Sequence, residues 1–144
     1  MLLGQVEVLA TLYGRVLVPS TVIEELRHNL APAPVRNWAD RLPAWIEVVI
    51  ASGDSQIPHL DRGEADAIVL AADVHADVIL LIDEHAGRLE ARRRGLRVTG
   101  TLSVLDEADR AGLLRFEEAV AALRRTSFRV STSVLEEIIS RRSR

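Results

Sequence analysis

The chain contains no cysteine and no lysine, and each absence excludes classes of chemistry. Without cysteine it has no disulfide, no thiol nucleophile and no thiolate zinc site. All 18 basic residues are arginine, so a lysine-dependent phosphate-binding loop and Schiff-base chemistry are excluded as well. Aromatic residues make up only 3% of the sequence, which leaves few rings on which nucleic-acid bases would stack.

Long hydrophobic segments are also lacking. Apolar runs such as residues 78–82 fall far short of the roughly 20 residues that a membrane helix needs. The first residues have no basic region before their apolar positions, unlike a signal peptide. We therefore expect a cytoplasmic protein without a membrane partner. The net charge of −3 argues against general electrostatic coating of nucleic acid, but it is compatible with a nuclease whose acidic residues hold metal ions.

The apolar residues that are present follow two alternating patterns. Short aliphatic runs at 15–18, 45–50, 76–82 and 96–99 indicate buried strands, and the stretches between them have helical spacing. Strands that alternate with helices predict a parallel sheet covered on both faces. Because the 144 residues show no repeat or linker, we expect one α/β domain over residues 1–144.

Three acidic residues fall where predicted strands lead into helices, the edge at which α/β proteins place their sites. Asp83 directly follows the strand at 76–82. Glu64 shares a helical face with Ile68, and Glu25 flanks the buried stripe of its helix, where an ordinary boundary residue would also lie. Carboxylates gathered at one edge repel each other unless a cation neutralises them. Such oxygen ligands suit Mg²⁺ or Mn²⁺, ions that activate water for attack on phosphorus.

Some of these acids also have purely structural interpretations. Asp83 is a good N-cap for the helix that follows, and Glu64 is spaced to complete a capping box with Asp61. Asp66 shares a helical face with Asp73, seven residues on, so we expect it to point into solvent. The sequence alone leaves the functional and structural interpretations of Asp83 and Glu64 open.

The three stretches that hold the candidate acids resemble motifs of PIN domains, in the PIN order. Residues 14–26 resemble the second acidic motif, residues 63–71 the next and residues 81–101 the third. They read GRVLVPSTVIEEL, GEADAIVLA and LIDEHAGRLEARRRGLRVTGT. Their order and spacing are similar to those of prokaryotic PIN proteins related to VapC toxins, over residues 2–112 and on towards the C-terminus.

The resemblance implies a three-layer α/β/α fold and cleavage of RNA that depends on Mg²⁺ or Mn²⁺. It also implies a homodimer and a paired antitoxin protein. By the motif match, Glu25, Glu64 and Asp83 would be the catalytic and metal-binding acids, and Glu84 would be a further metal ligand.

The N-terminal part departs from the PIN pattern. PIN domains begin with an apolar strand that ends in a metal-binding aspartate followed by Thr or Ser, whereas this sequence starts at the helix after that strand. We therefore expect a first strand missing from the sheet, an incomplete metal site, poor metal binding and weak or absent cleavage. The strand edges left exposed where the first strand is missing would also favour association with another chain.

A basic cluster adjoins the segment that contains Asp83. Its candidates for nucleic-acid binding are Arg88, Arg92 and Arg93. The forked donors of arginine suit phosphate oxygens. The alternative is that these arginines form an ordinary solvated face of the helix.

Two functions follow from these patterns. The first is a metal-dependent ribonuclease, the toxin-like member of a toxin–antitoxin pair. The alternative is a non-catalytic PIN-like protein that binds nucleic acid or another protein. A signalling receiver domain with Asp83 as its phosphoacceptor is disfavoured, because receivers use a lysine near that site and this chain has none.

Overall fold

The structure, a computed structural model, describes residues 6–50, 55–74, 77–126 and 128–143. The elements in these ranges follow in the order α1 (Glu7–Tyr13), β1 (Val16–Pro19), α2 (Ser20–Leu26), α3 (Ala33–Asp40), β2 (Ile46–Val49), α4 (Arg62–Asp73), β3 (Leu80–Leu81), α5 (His85–Arg93), β4 (Val98–Thr99), α6 (Thr101–Arg110), α7 (Phe116–Arg124) and α8 (Thr132–Arg142). They form two compact groups: residues 13–99, and the described residues up to 12 together with those from 100 onwards.

The larger group contains two pairs of parallel strands. β1 pairs with β2 in register from first residue to last, and β3 pairs with β4. Within the described ranges these pairs are separate two-stranded sheets. Helices connect the strands: α2 and α3 lie between β1 and β2, α4 between β2 and β3, and α5 between β3 and β4. The expected α/β class with parallel strands is confirmed, whereas the three-layer arrangement and the missing first strand stay predictions.

Helix α4 is the central element of the larger group. It contacts α2, β1, β3 and α5. Its Ile68 is completely buried and packs with Leu80, Ile82 and Ala91. This apolar cluster fixes α4 on the β3–α5 part of the group, so the acidic residues at the start of α4 are held on a packed helix.

The smaller group is built around α6, α7 and α8. Their buried apolar residues form one core, made of Leu102, Leu105, Phe116, Ala119, Val120, Leu123 and Ile138. At the end of α8, Arg142 donates hydrogen bonds to Asp106 at 2.6 Å and to Asp109 at 3.1 Å. Its guanidinium also lies over the Phe116 ring, 5.0 Å from the centroid. These contacts tie the end of α8 to α6 and α7.

Two helices end next to a glycine. α1 and α5 stop before Gly14 and Gly95, whose φ angles of 76° and 75° are ones that glycine adopts readily. Pro19 holds the N-cap position of α2, so neither Ser20 nor Thr21, the first polar residues of this helix, is its N-cap. No helix in the described ranges combines the length and apolar content needed to cross a membrane.

Candidate active site

The first turn of α4 is fixed by a side-chain cap. Asp61 is the N-cap residue, and its Oδ1 accepts a hydrogen bond from the N–H of Glu64 at 2.8 Å. This is the usual way in which an aspartate satisfies an otherwise unpaired N–H at a helix start. The cap therefore confirms the structural role expected for Asp61 and places two carboxyl groups in one helical turn.

Glu25 reaches the same turn from α2, because Gly63 has no side chain. A Cβ built on Gly63 would lie 3.0 Å from Glu25 Oε1 and 3.2 Å from Val22 Cγ2. Glycine at this position thus lets α2 lie close against α4, with the Glu25 carboxyl group over the helix start. Glu25 is exposed as a whole residue, but partial burial of its carboxyl group, and next the negative charge of Asp61, raise the pKa of Glu25.

Glu64 is held on the other side, against α5. A Cβ on Gly87 would lie 2.6 Å from Glu64 Oε2, and this oxygen is buried without a hydrogen-bond partner in the described part of the chain. Burial raises the pKa of Glu64 to about 7, assisted by a hydrogen bond with Asp61 and by the charges of Asp61, Glu84 and Glu25. The Glu64 carboxyl group therefore changes its protonation state near neutral pH.

Gly87→Ala tests this close approach. Alanine favours a helix interior by about 1 kcal/mol over glycine, so an unhindered site would gain stability. Here the new methyl would also meet Ile82 Cγ2 at 2.8 Å, and Ile82 is buried and unable to move freely. We expect a lower free energy of unfolding and a displaced Glu64, measured by urea denaturation and by NMR titration of Glu64. A more stable variant with an unchanged Glu64 titration would show that Gly87 is not a required contact.

Asp83 and Glu84 lie between β3 and α5. Asp83 follows Ile82 at the carboxyl end of the strand and is exposed. The N-cap position of α5 belongs to Glu84, not to Asp83, and the Glu84 side chain makes no cap hydrogen bond. Glu84 instead acts on Glu64 through its charge. The charges of Asp61, Glu84 and Glu25 thus all act on Glu64, and Asp83 stands next to Glu84.

Two acidic residues behave differently from what the sequence indicates. Asp66 is only 3% exposed and accepts a hydrogen bond from Thr21 Oγ1 at 2.8 Å, so the expectation that it points into solvent is wrong. The hydroxyl of Thr21 supplies the partner that makes burial of this carboxylate tolerable. Asp61 was expected only as a cap, yet its negative charge is the largest of the neighbouring charges that raise the pKa of Glu64, and it also raises the pKa of Glu25. Its spacing of three residues from Glu64 was the available signal.

The arginines of α5 fall into two classes. Arg93 is hydrogen-bonded to Glu90, as is the neighbouring Arg94, and these two arginines lower the pKa of Glu90 to about 2. Arg88 and Arg92 lie one turn apart on α5, and within the described ranges neither forms an ion pair. The Nε of Arg88 is buried without a partner there. Arg88 and Arg92 thus differ from Arg93 in having no acidic partner within the described ranges.

The acidic cluster fits a divalent cation in its chemistry. It offers only carboxylate oxygens, which are the ligands that Mg²⁺ and Mn²⁺ prefer. The buried, unpartnered Oε2 of Glu64 is an oxygen that a cation would satisfy. As the side chains stand, no three acidic or histidine residues of the described ranges surround a single point closely enough to hold a metal ion. Binding would therefore require these carboxylates to move towards each other.

One comparison with known proteins gives a family. The model of the family DUF3368, described as a PIN domain, matches residues 1–144. No curated protein and no solved structure matches the chain. PIN domains are of nuclease type and generally depend on divalent metal ions, in agreement with an acidic cluster at the start of a central helix. Because the match spans the whole sequence, this chain belongs to the PIN-domain family.

Proposed function

We propose that this chain is a metal-dependent ribonuclease that hydrolyses phosphodiester bonds of RNA. The observation that carries the proposal is the pairing of Glu25 and Glu64 on the first turn of α4. Both carboxyl groups have a raised pKa, and one oxygen of Glu64 is buried without a partner in the described residues. Such an arrangement is unfavourable until a cation neutralises it. The nuclease character of the PIN family supports the same conclusion.

Each residue has a defined part in the proposed site. Glu25, Glu64 and Asp83 would hold Mg²⁺ or Mn²⁺, with Glu84 as a further ligand. When bound, the ion supplies an activated water and neutralises charge on the reacting phosphate. Asp61 holds the start of α4, because its side chain caps the N–H of Glu64.

RNA cleavage in the presence of Mn²⁺ tests the proposal, with Asp83→Asn as the inactive variant. A mixed RNA pool is incubated with an excess of the protein. Asp77→Asn is the matched control, since Asp77 is exposed and, among the described residues, pairs only with Arg97 at the surface. We expect Mn²⁺-dependent cleavage that is lost in Asp83→Asn and kept in Asp77→Asn. Equal cleavage by the wild type and Asp83→Asn would contradict the assignment.

A second candidate function is a PIN-like protein that binds RNA or a protein without cutting. It is favoured by one observation: three carboxylates of the described ranges do not converge on one point. The same assay separates the two functions. A folded wild-type chain that retains RNA in a gel shift but never cleaves it, with any divalent ion, would support the non-catalytic function.

RNA binding by α5 is tested separately with arginine variants. Each arginine that contacts phosphate on a single strand adds about 0.7 to the slope of log affinity against log salt concentration. We expect Arg88→Gln and Arg92→Gln each to lower this slope by about that amount. Arg93→Gln should have a smaller effect, because Glu90 already holds its guanidinium. Fluorescence anisotropy at several salt concentrations measures the slope, and Arg124→Gln on α7 is the control. Equal effects of all four variants would argue for non-specific binding.

We also propose that the protein works in the cytoplasm as the toxin-like member of a toxin–antitoxin pair and forms a homodimer. The motif order, which is similar to that of VapC-related proteins, supports this role. Strand pairing supports association: in the described ranges each sheet has only two strands, so each strand has an edge with no pairing strand. Such edges favour contact with another chain.

A further inference from the structure

A groove of about 200 Å³ lies beside the ends of β1 and β2, on a face of α4. The residues of α4 that line it recur at helical spacing along a single face: Asp66, Val69, Leu70 and Asp73. Pro19 and Val49 line it from the strands. The groove therefore has an apolar middle, with a carboxylate on α4 at either end.

Asp66 provides the strongest sign that this groove takes a ligand. The side chain is 3% exposed, and Oδ2 accepts a hydrogen bond from Thr21 at 2.8 Å. Its other oxygen, Oδ1, is buried with no hydrogen-bond partner in the described part of the chain. A buried carboxylate oxygen without a partner is unfavourable. A cationic N–H donor that enters the groove would satisfy it.

The spacing of the two carboxylates narrows the ligand class. Asp66 and Asp73 are seven residues apart, which corresponds to a rise of roughly 10 Å along the helix. Val69 and Leu70 lie between them on the same face. In the described ranges no arginine is paired with either aspartate. A bare divalent ion does not match this lining, because it needs about six oxygen ligands around one point.

We propose that this groove binds a linear organic diammonium ion. One ammonium group bonds to Asp66, the hydrocarbon chain lies over Val69 and Leu70, and the second ammonium group meets Asp73. The site is separate from the Glu64 carboxyl group, because residues two apart point to nearly opposite sides of a helix. Binding therefore does not depend on whether the chain cleaves RNA.

Isothermal titration calorimetry of the full chain tests the proposal with three probes. Diaminoheptane, whose length is chosen to match the rise of roughly 10 Å between the two aspartates on the helix, should bind saturably with one molecule per chain. Heptanediol, which has the same length without charge, should not bind. Diaminoethane is too short to reach both aspartates and should bind about tenfold more weakly or worse. Absence of saturable diaminoheptane binding, or equal binding of all three compounds, would overturn the proposal.

Variants locate the binding. Asp66→Asn and Asp73→Asn should each weaken diaminoheptane binding about tenfold or more, whereas Glu24→Gln removes an exposed charge outside the groove and should leave it unchanged. Asp73 is exposed, so Asp73→Asn should fold and still tests binding in the groove if Asp66→Asn does not fold. NMR should show the largest methyl shifts at Val69 and Leu70. Binding that survives both aspartate variants, or that is lost in Glu64→Gln instead, would contradict the assignment.

Discussion

Replacing Glu64 with glutamine should abolish Mn²⁺-dependent cleavage and, at the same time, stabilise the metal-free protein above neutral pH. Loss of a group that only orients a metal ligand lowers metal affinity or activity about 10- to 100-fold. Loss of a ligand itself should therefore lower the cleavage rate at least about 100-fold. The stability effect follows from the pKa of about 7 in the folded protein, against an ordinary value of 4.5. A carboxyl group with a raised pKa contributes stability below pH 4.5, and this contribution is lost as the pH rises through about 7.

Glutamine remains neutral and keeps a donor for Asp61, so Glu64→Gln retains that contribution at every pH. Thermal unfolding of the metal-free protein should therefore show a higher midpoint for the variant above pH 7 and equal midpoints in acid. Mn²⁺ should raise the midpoint of the wild type only. Glu24→Gln, which removes a charge from the exposed side of α2, is the control. A lower midpoint for Glu64→Gln above neutral pH would show that the ionised carboxylate is not destabilised in the fold.

Ile68→Ala is expected to have the largest effect on stability. Ile68 is completely buried and packs with Leu80 and Ile82, so truncation loses apolar contact and leaves a cavity under α4. Comparable substitutions cost about 2–5 kcal/mol, whereas Ile→Val costs about 0.5–1.5 kcal/mol. Urea denaturation of Ile68→Ala and Ile68→Val measures the free energy of unfolding that each substitution removes. A loss below about 1 kcal/mol for Ile68→Ala would mean that α4 is not anchored by this residue.

The order of helices and strands could be predicted from the sequence because it depends on local patterns. The lengths of the strands were harder to predict, because a strand exists only where another strand pairs with it. Residues 76–82 were predicted as one strand, but the structure has a strand only at Leu80–Leu81. Its partner β4 offers just Val98–Thr99. Residues 77–79 have no regular structure, and residue 76 lies outside the described residues.

The candidate site could also be predicted only in part, because some of its contacts join residues that are far apart in the sequence. Glu25 and Glu64 were identified by their place at strand–helix junctions, and the structure brings both to the first turn of α4. Helical periodicity misplaced Asp66, because hydropathy does not show that Thr21 donates a hydrogen bond across 45 residues of sequence. The contact of Glu64 with Gly87 was also hidden, since the sequence does not indicate which glycine permits close approach of two helices.

Mn²⁺ affinity of the wild-type chain, measured by calorimetry below and above pH 7, tests the central claim that this acidic cluster is a metal site. Glu64 must lose its proton before it binds a cation. We expect weak, saturable binding that strengthens as the pH rises through about 7, the pKa of Glu64. Glu64→Gln should not bind. Mn²⁺ binding that is independent of pH, or that persists in Glu64→Gln, would contradict the account.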